Sequence, residues 1–351
     1  MKASAVRAVW WDEKLKQVCW LDTTKLPFKE IVNCSNEPGR VARAIIDMEI
    51  RGAPAIGVAA ALAVAAEAHR MSRNPDFWKA VESAIEVLER TRPTARNLFW
   101  ALERMRRKVD ELRRAGSDPS MATSAIEEEA VKVLEEDVEA NLRIGELGSE
   151  LVPEGARILT HCNAGALATS AWGTALAIIR VAWQRGKVKR VYATETRPLL
   201  QGARLTVWEL RKEGIPVTLI TDNTAGYIMR RRKVDLVIVG ADRVTKDGFV
   251  VNKIGTYMIA LAAKRVGIPF YVAAPTSTID LDRTIDDVII EERSPEEVKK
   301  VLGTPITIED VEAENYAFDI TDPDLVTAIV TEKGIVHPPF DVNLRKVLGK
   351  S

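Results

Sequence analysis

The feature that most constrains the fold is an alternation of short apolar runs with helical segments in the second half of the chain. Five such runs, rich in Val, Ile and Leu, follow one another between residues 157 and 273. Helical patterns separate them, near residues 165–185, 198–213, 224–232 and 253–266. Strands that are apolar on both faces and alternate with helices are typical of a parallel sheet covered on both sides. We therefore predict a doubly wound, Rossmann-like α/β fold with strands at Arg157–Thr160, Arg190–Ala193, Pro216–Ile220, Asp235–Val239 and Pro269–Ala273.

Residues before these runs have a different pattern. Alternating apolar and polar residues predict two short strands, and from about residue 38 to 151 apolar residues recur every three or four positions, as on the buried face of a helix. A chain of 351 residues is long enough for about two domains. We expect a mostly helical N-terminal domain over residues 1–152 and the α/β catalytic domain over residues 153–351. The N-terminal strands are predicted at Val6–Trp10 and Gln17–Leu21, and helices are predicted to begin near Pro54, Pro93 and Ser120.

The overall charge argues against two classes of partner. The chain has 50 Lys and Arg residues against 50 Asp and Glu residues, so its formal net charge is zero. Proteins that bind nucleic acid or an anionic membrane surface carry an excess of positive charge, so we expect no nucleic acid and no membrane partner. The longest uncharged apolar run, Gly52–Ala66, is also shorter than the ~20 residues of a spanning helix.

Cysteine usage and the N-terminus indicate a cytoplasmic protein. Only three cysteines occur, Cys19, Cys34 and Cys162. This small and odd number is not typical of a secreted protein held together by disulfides. Residues 1–7 lack the apolar core of a signal peptide. We therefore expect a protein of the reducing cytoplasm, without a disulfide framework.

Polar residues follow every predicted strand, and the carboxyl ends of parallel strands meet at one edge, where such sheets bind ligands. Asp242 leaves a buried strand through Gly240, and a carboxylate there is costly unless it is paired or used in catalysis. Asp242 is the best catalytic candidate.

Cys162 is the second catalytic candidate, although a lone cysteine is often only a small buried apolar residue. His161 is a doubtful base for it, because consecutive strand residues point to opposite faces.

Other polar residues at this edge keep a structural alternative. Asp222, Asn223 and Thr224 precede a predicted helix, and at least one of them is expected to cap it. Glu195 either faces a ligand or anchors a neighbouring loop.

No metal and no organic cofactor are predicted. The three histidines, His69, His161 and His337, are not spaced as metal ligands, and no glycine-rich dinucleotide motif or P-loop motif occurs.

Basic residues do stand at predicted helix starts, where free N–H groups attract anions. We therefore expect a phosphorylated small molecule, bound in a crevice between the two domains. The basic residues are Arg51, Arg92, Arg197 and Lys253.

Eight short motifs occur in order along the chain. The first four are Arg51-Gly52-Ala53-Pro54-Ala55-Ile56-Gly57, Arg92-Pro93-Thr94-Ala95, Thr160-His161-Cys162-Asn163-Ala164-Gly165 and the segment from Glu195 to Arg204. The others are Asp222-Asn223, Gly240-Ala241-Asp242-Arg243, the segment from Asn252 to Tyr257, and the segment from Ala274 to Thr278. Together they resemble the methylthioribose-1-phosphate isomerases, the aldose–ketose isomerases of methionine salvage, over nearly the whole chain.

The resemblance implies roles for particular residues. Asp242 would be the catalytic acid/base, and Cys162 the second catalytic or transition-state-stabilising group. The resemblance also implies a homodimer. Some of the motifs are shared with two related groups, the ribose-1,5-bisphosphate isomerases and the regulatory subunits of the translation-initiation guanine-nucleotide exchange factor. Two features favour the methylthioribose group over these relatives, namely the Trp-rich N-terminus and the motif at Arg92. Substrate contacts would come from Arg51, Gly52, Ala53, Arg92, Gln201, Asn252 and Lys253.

Overall fold

The computed structural model describes residues 6–92 and 96–349. The described residues form two compact units. We call residues 6–141 and 166–173 the helical unit, and residues 142–165 and 174–349 the sheet unit. Among the helices of these residues, none combines the length and the apolar character that crossing a membrane requires.

The helical unit begins with a small antiparallel sheet and continues with helices. Its strands are β1 (Val9–Asp12), β2 (Gln17–Leu21) and β3 (Val32–Ser35). Its helices are α1 (Pro38–Ile46), α2 (Ala53–Met71), α3 (Phe77–Glu89), α4 (Arg96–Arg114) and most of α5 (Pro119–Ser149). The Ala-rich helix α2 is buried on all sides from Ala55 to Ala68, as a helix without a polar face must be. The sequence missed β3, and the helix start predicted at Pro93 lies outside the described residues.

The sheet unit consists of parallel strands joined by helices. Its first half contains β4 (Ala156–Thr160), α6 (Ala175–Gln184), β5 (Val188–Thr194), α7 (Val207–Lys212), β6 (Val217–Ile220), α8 (Thr224–Arg230) and β7 (Leu236–Val239). There follow β8 (Arg243–Thr245), β9 (Val250–Lys253), α9 (Thr256–Val266), β10 (Phe270–Ala273), β11 (Ile279–Asp280), α10 (Glu296–Lys299), β12 (Lys300–Val301) and β13 (Thr304–Pro305). The last elements are β14 (Phe318–Thr321), β15 (Ala328–Thr331), β16 (Gly334–Val336) and α11 (Phe340–Val347).

The main sheet has the doubly wound order that the sequence predicts. Its seven strands lie in the order β6-β5-β4-β7-β10-β15-β16, and all neighbours are parallel except β15 and β16. The chain builds outward from β4 to β6, returns to the other side of β4, and builds outward again from β7 to β15. This is the Rossmann order, which confirms the predicted fold class and all five predicted strands.

Two elements near the ligand-binding edge differ from the prediction. Residues 250–253 form β9 in a second sheet of order β11-β8-β9-β14, and the helix predicted from residue 253 begins only at Thr256. The β-branched pair Val250-Val251 favours this strand. The helix predicted from Pro198 begins only at Gln201, with a π-helical turn over Gly202–Thr206 that leads into α7, because Leu200 has a positive φ of 58° that a right-handed helix cannot contain.

The predicted domain boundary at residue 152 lies just beyond the end of α5. The contacts, however, change from one unit to the other inside this helix, after Asn141. The reason is that the last turns of α5 pack on α6, where Gly145 lies against the backbone of Ala177 and Gly148 against the side chain of Ile178. Residue 152 therefore marks the end of a helix, and as a domain limit it stays a prediction.

Two of the three cysteines form a disulfide, contrary to the expectation from their number. Cys19 in β2 and Cys34 in β3 are directly paired across the antiparallel ladder, with their Cα atoms 4.0 Å apart and their sulfurs bonded. The number of cysteines could not reveal this, because the pairing depends on the register of β2 with a strand that the sequence did not predict.

This disulfide should stabilise the helical unit. The two cysteines are 15 residues apart, and closing a loop of that length is worth about 3 kcal/mol through the lost entropy of the unfolded chain. We expect Cys34→Ser to lower the free energy of unfolding by about 2–4 kcal/mol, measured by denaturant titration without reductant. With reductant present, wild type and variant should unfold at similar denaturant concentrations. Equal stability of the two proteins without reductant would contradict this role.

Candidate functional site

The candidate site lies where the strand order of the main sheet reverses, between β4 and β7. In sheets of this kind the crevice at the carboxyl ends of the two central strands binds ligands. Cys162 follows β4, and Asp242 follows β7. Their loops touch, because a Cβ built on Gly240 would lie 2.6 Å from the Cβ of Ala164, so only glycine fits there. The structure thus brings together the loops of the two predicted catalytic residues.

The backbone of Cys162 is held on both sides by threonine hydroxyls. The residue is buried and outside the disulfide, and its φ is 59°, in the left-handed region. Its N–H donates to Thr196 Oγ1 at 2.9 Å, and its carbonyl accepts a hydrogen bond from Thr206 Oγ1 at 2.5 Å. A non-glycine residue stays in this conformation only where its surroundings hold it, and such residues are frequent at functional sites.

His161 is not the base of Cys162. Its Nε2 lies 2.8 Å from the carbonyl oxygen of Ile254, which can only accept, so Nε2 carries the proton. Its Nδ1 then accepts from Thr194 Oγ1 at 2.6 Å. Burial lowers the pKa of His161 below its ordinary value, which keeps the ring neutral. The imidazole therefore joins the ends of β4, β5 and β9 and is not available to the thiol.

Asp242 is half-buried and tied to the neighbouring strand β9. Its N–H donates to the carbonyl of Val251 at 2.9 Å, directly before the two predicted substrate contacts of this strand. Asn252 and Lys253 are both buried. The amide of Asn252 donates to Thr256 Oγ1 at 2.9 Å. These hydrogen bonds bring one catalytic candidate and two substrate-binding candidates to one end of β9.

Lys253 is held by β14. Its ammonium donates to the carbonyl of Ala317 at 2.8 Å and lies 4.3 Å from the centre of the Phe318 ring, a favourable place for a cation. Asp319 on the same strand accepts the N–H groups of Gly255 at 2.7 Å and Tyr257 at 3.1 Å, at the start of α9. Burial is the largest influence on Asp319 and raises its pKa to about 6. Residues of β14, with Ala317 just before it, therefore hold Lys253 and the loop that follows it.

The loop after β5 brings Gln201 to the same edge of the sheet. Asp222, which the sequence allowed as a helix cap, instead accepts the N–H groups of Thr196 and Arg197, both at 2.7 Å. Gln201 is only 6% exposed, and its Oε1 has no hydrogen-bond partner among the described residues. A buried amide oxygen without a partner is costly, so this oxygen is suited to accept a hydrogen bond from a ligand.

Arg197, a predicted phosphate contact, is held by backbone carbonyls, and its part in binding phosphate stays a prediction. Its guanidinium donates to three carbonyl groups, those of Pro198, Val298 and Lys300, at 2.8–3.2 Å. Two of these carbonyls lie at the C-terminal end of α10, where a cation is favoured. Arg197 therefore joins the loop after β5 to the segment around α10. Sequence reasoning could not see this partner, because it is about a hundred residues away in the chain.

In the helical unit, three predicted phosphate contacts stand at the start of α2. Gly52 has a φ of 90°, and a Cβ on it would lie 2.4 Å from the Cα and carbonyl oxygen of Ala168, so only glycine fits. The half-buried residues Arg51 and Ala53 flank it. The N–H groups of a first helical turn lack helical partners and attract anions. Arg92 is half-buried as well, and the rest of its motif, residues 93–95, lies outside the described residues.

Several residues of the site were missed from the sequence. Thr196 and Thr206 hold Cys162, and Asp319 holds the loop of Lys253. Thr196 lies within the motif from Glu195 to Arg204 but had no predicted role, Thr206 lies outside the motifs, and Asp319 is far in sequence from the loop it binds. Within the described ranges 6–92 and 96–349, no group of three His, Cys, Asp or Glu side chains could hold a metal ion.

The chain matches a known protein family and has close relatives. The model of the Initiation factor 2 subunit family matches residues 49–338. A putative methylthioribose-1-phosphate isomerase of Aeropyrum pernix is 53% identical over 336 residues, which are 94% of this chain and 90% of the relative.

Two solved structures share the fold over almost the whole chain. The 5-methylthioribose 1-phosphate isomerase of Pyrococcus horikoshii has a TM-score of 0.93 and 44% identity, and the match covers 99% of this chain and 97% of that chain. The translation initiation factor eIF-2B subunit delta of A. fulgidus has a TM-score of 0.88 and 44% identity. This match covers 98% of this chain and 100% of that chain.

Asp319 should make stability depend on pH in the direction opposite to most carboxylates. Its pKa of about 6 in the folded chain is above the ordinary 3.8, so between these values the folded chain keeps a proton that the unfolded chain has lost. The stabilisation that the protonated Asp319 side chain provides is then fully present at low pH. It is lost as the pH rises from about 4 to about 6. Urea unfolding between pH 4 and 7 should show wild type losing stability relative to Asp319→Asn.

Asp235→Asn is the matched control for this measurement. Arg157 lowers the pKa of Asp235, so wild type should gain stability relative to this variant as the pH rises through the acid range. If the difference between wild type and Asp319→Asn stayed constant across the whole range, the raised pKa of Asp319 would be wrong.

Proposed function

The chain belongs to the initiation factor 2 subunit family, and we propose that within it the protein is a methylthioribose-1-phosphate isomerase. This enzyme interconverts 5-methylthioribose 1-phosphate, an aldose, and 5-methylthioribulose 1-phosphate, a ketose, in methionine salvage. One observation carries the proposal. A chain about half identical to such isomerases presents a carboxylate and a thiol on two touching loops at the central crevice of its sheet. We propose the cytoplasm as its location, because a charged sugar phosphate does not cross membranes unaided.

The substrate sets the first task of the site. The phosphate of a sugar 1-phosphate blocks the anomeric oxygen, so the ring cannot open freely to an aldehyde. Asp242 is suited to assist, since a half-buried carboxyl group at a strand end can donate a proton to the ring oxygen and accept protons later. Its backbone is held by Val251, which limits how far the carboxyl group can move.

The second task is to move hydrogen from C2 to C1. Cys162 is the group on the other side of the strand-order reversal, and its buried position keeps water from the thiol. We propose that the thiol assists this hydrogen transfer, while Asp242 donates the proton to the ring oxygen. His161 takes no direct part, because both of its nitrogens are engaged by Thr194 and Ile254.

Substrate binding would use three residues of the sheet unit. The amide oxygen of Gln201 lacks a partner among the described residues and would accept from a sugar hydroxyl. Lys253 carries three N–H donors, one of which binds Ala317, and its positive charge suits a phosphate. Asn252, beside it on β9, would add polar contacts to the sugar.

The helical unit has candidate phosphate-binding residues of its own. The N-terminal turn of α2 at Gly52 and Ala53 offers N–H groups, and Arg51 and Arg92 offer guanidinium groups, which bind phosphate in pairs of hydrogen bonds. Arg51→Ala would accordingly weaken substrate binding more than it slows turnover.

A role as a regulatory protein is the second candidate. The likeness to the eIF-2B subunit delta, at 44% identity, is what favours it. Such a protein would bind a ligand and a protein partner without converting the ligand. An assay with the pure chain separates the two candidates, and a parallel assay with ribose 1,5-bisphosphate separates the two isomerase activities.

We expect the pure protein to convert 5-methylthioribose 1-phosphate to its ketose, with much slower conversion of ribose 1,5-bisphosphate. Asp242→Asn should lower kcat about 10²–10⁴-fold, the usual contribution of a general acid or base, because an amide cannot donate or accept the proton. Substrate should still bind, which equilibrium dialysis measures.

The control is Asp247→Asn, the same change in the turn between β8 and β9, where the carboxylate contacts Thr245. This variant should keep the kcat of wild type. Absence of turnover by wild type with either sugar would count against the isomerase, and near-normal turnover by Asp242→Asn would count against the assigned acid/base.

We propose that the protein is a homodimer. Large apolar side chains are exposed on the adjacent helices α8 and α9, where Gly226 lies near Ala262. Tyr227 is 62% exposed, Met258 67% and Leu261 42%. Exposed apolar side chains grouped on neighbouring helices are typical of a protein interface. A second copy of the chain would cover it.

Light scattering should therefore give a mass of two chains. Met258→Asp should shift the protein toward one chain, because it would bury a charge in the interface. Met121→Asp, at an equally exposed methionine of α5, should leave the dimer intact. A wild-type mass of one chain would contradict the dimer.

A further inference from the structure

The conformation of Cys162 requires support from its neighbours. Its φ of 59° places Cβ in a crowded arrangement that non-glycine residues avoid. The amide is held by Thr196 and the carbonyl by Thr206, so the two hydroxyls fix the peptide groups on both sides of the residue. The direction of the thiol follows from this backbone conformation.

Both threonines are fully buried, and Thr206 is anchored by further side chains. It is 0% exposed, and a hydroxyl has one proton, which goes to the carbonyl of Cys162. Its oxygen then accepts from the side-chain amide of Asn163 at 3.2 Å. The same amide nitrogen donates to Glu209 Oε1 at 2.9 Å. Thr206 and Glu209 are three residues apart on one helical face, which lets both reach one amide group.

Glu209 is in turn fixed by a buried ion pair. Its Oε2 accepts from Arg180 at 2.6 Å, and Arg180 also donates to Glu213 at 2.7 Å. Arg180 and Glu209 are almost completely buried, and buried charges remain only where each has its partners. A Cβ on Gly165 would lie 2.4 Å from Glu209 Oε2, so the carboxylate lies directly against the loop of Cys162.

The helix that carries Thr206 has a wide turn at this point. The N–H of Val207 bonds to the carbonyl of Gly202, five residues earlier, so Gly202–Thr206 form a π-helical turn. Such turns hold one extra residue and are frequent at functional sites. The turn follows Gln201 directly, so one short element carries a proposed substrate contact at its start and Thr206 at its end.

We propose that Thr206 is a positioning residue for the reaction, whose hydroxyl sets the direction of the Cys162 thiol through the backbone carbonyl. The Glu209–Arg180 pair and Asn163 orient that hydroxyl. The effect on turnover rests on the proposed isomerase function, whereas the effect on the thiol itself does not. Thr206 touches Cys162 and is not itself a catalytic residue.

The direct test is the reactivity of the thiol in Thr206→Val, which keeps the shape of the side chain and removes the hydroxyl. All three cysteines lie in the described part of the chain, and Cys162 is the one outside the disulfide, so without reductant iodoacetamide reports on it alone. We expect alkylation to be several-fold faster than in wild type, since the released backbone lets the buried sulfur reach solvent. Thr206→Ser should restore the wild-type rate.

Turnover is the second readout. Thr206→Val should lower kcat about tenfold to a hundredfold, as a misplaced catalytic group does, with KM little changed. Thr206→Ser should recover most of the loss in kcat, which a merely structural role of the methyl group would not allow.

Asn163→Ala removes the donor that orients the Thr206 hydroxyl. It should also make alkylation of Cys162 faster than in wild type, and this test remains available even if Thr206→Val does not fold.

The control is Thr123→Val, which removes a buried hydroxyl that bonds to the Pro119 carbonyl at 2.8 Å in the helical unit. It should lower thermal stability without changing alkylation or kcat. A wild-type alkylation rate in both Thr206→Val and Asn163→Ala would overturn the proposal. If wild type has no isomerase activity while alkylation responds as expected, the proposed function fails and the positioning of the thiol stands.

Discussion

The candidate site depends on the reversal of strand order between β4 and β7. The chain leaves these two neighbouring strands in opposite directions, and in sheets of this kind such a reversal leaves the carboxyl ends of the two strands uncovered by the connections. Cys162 and Asp242 follow the two strands, and the contact between Gly240 and Ala164 keeps their loops together. A parallel arrangement of the strands is what brings groups so distant in sequence to one edge.

Side chains from neighbouring strands then hold the backbone of that edge in conformations it would not adopt alone. Cys162 and Thr196 both have positive φ, at 59° and 65°. Asp222 accepts hydrogen bonds from the N–H groups of Thr196 and Arg197, and Thr206 donates to the carbonyl of Cys162. A buried network of this kind is rigid only when every donor and acceptor has a partner, and here the network ends on the ion pair of Glu209.

The predictable part of the molecule is the part that depends on local pattern. Apolar runs between helices were enough for the five strands and the doubly wound fold, and a carboxylate emerging from a buried strand was enough to single out Asp242. The errors concern distant contacts. The carbonyl partners of Arg197 around α10 were not predicted, and the Cys19–Cys34 bond depends on the register of β3, a strand whose pattern was too weak to predict.

Hydrophobic periodicity and glycine positions act over a few residues. They were therefore enough to predict the order of the strands along the chain, the edge expected to bind ligands and the residue types available there. Which groups hold the two catalytic candidates depends on contacts between distant segments. His161 was adjacent to Cys162 in sequence but binds Thr194 and Ile254, and Thr206, distant in sequence, binds Cys162. The reason is physical: a buried polar group must find a partner, and which partner lies within 3 Å is settled by packing between strands.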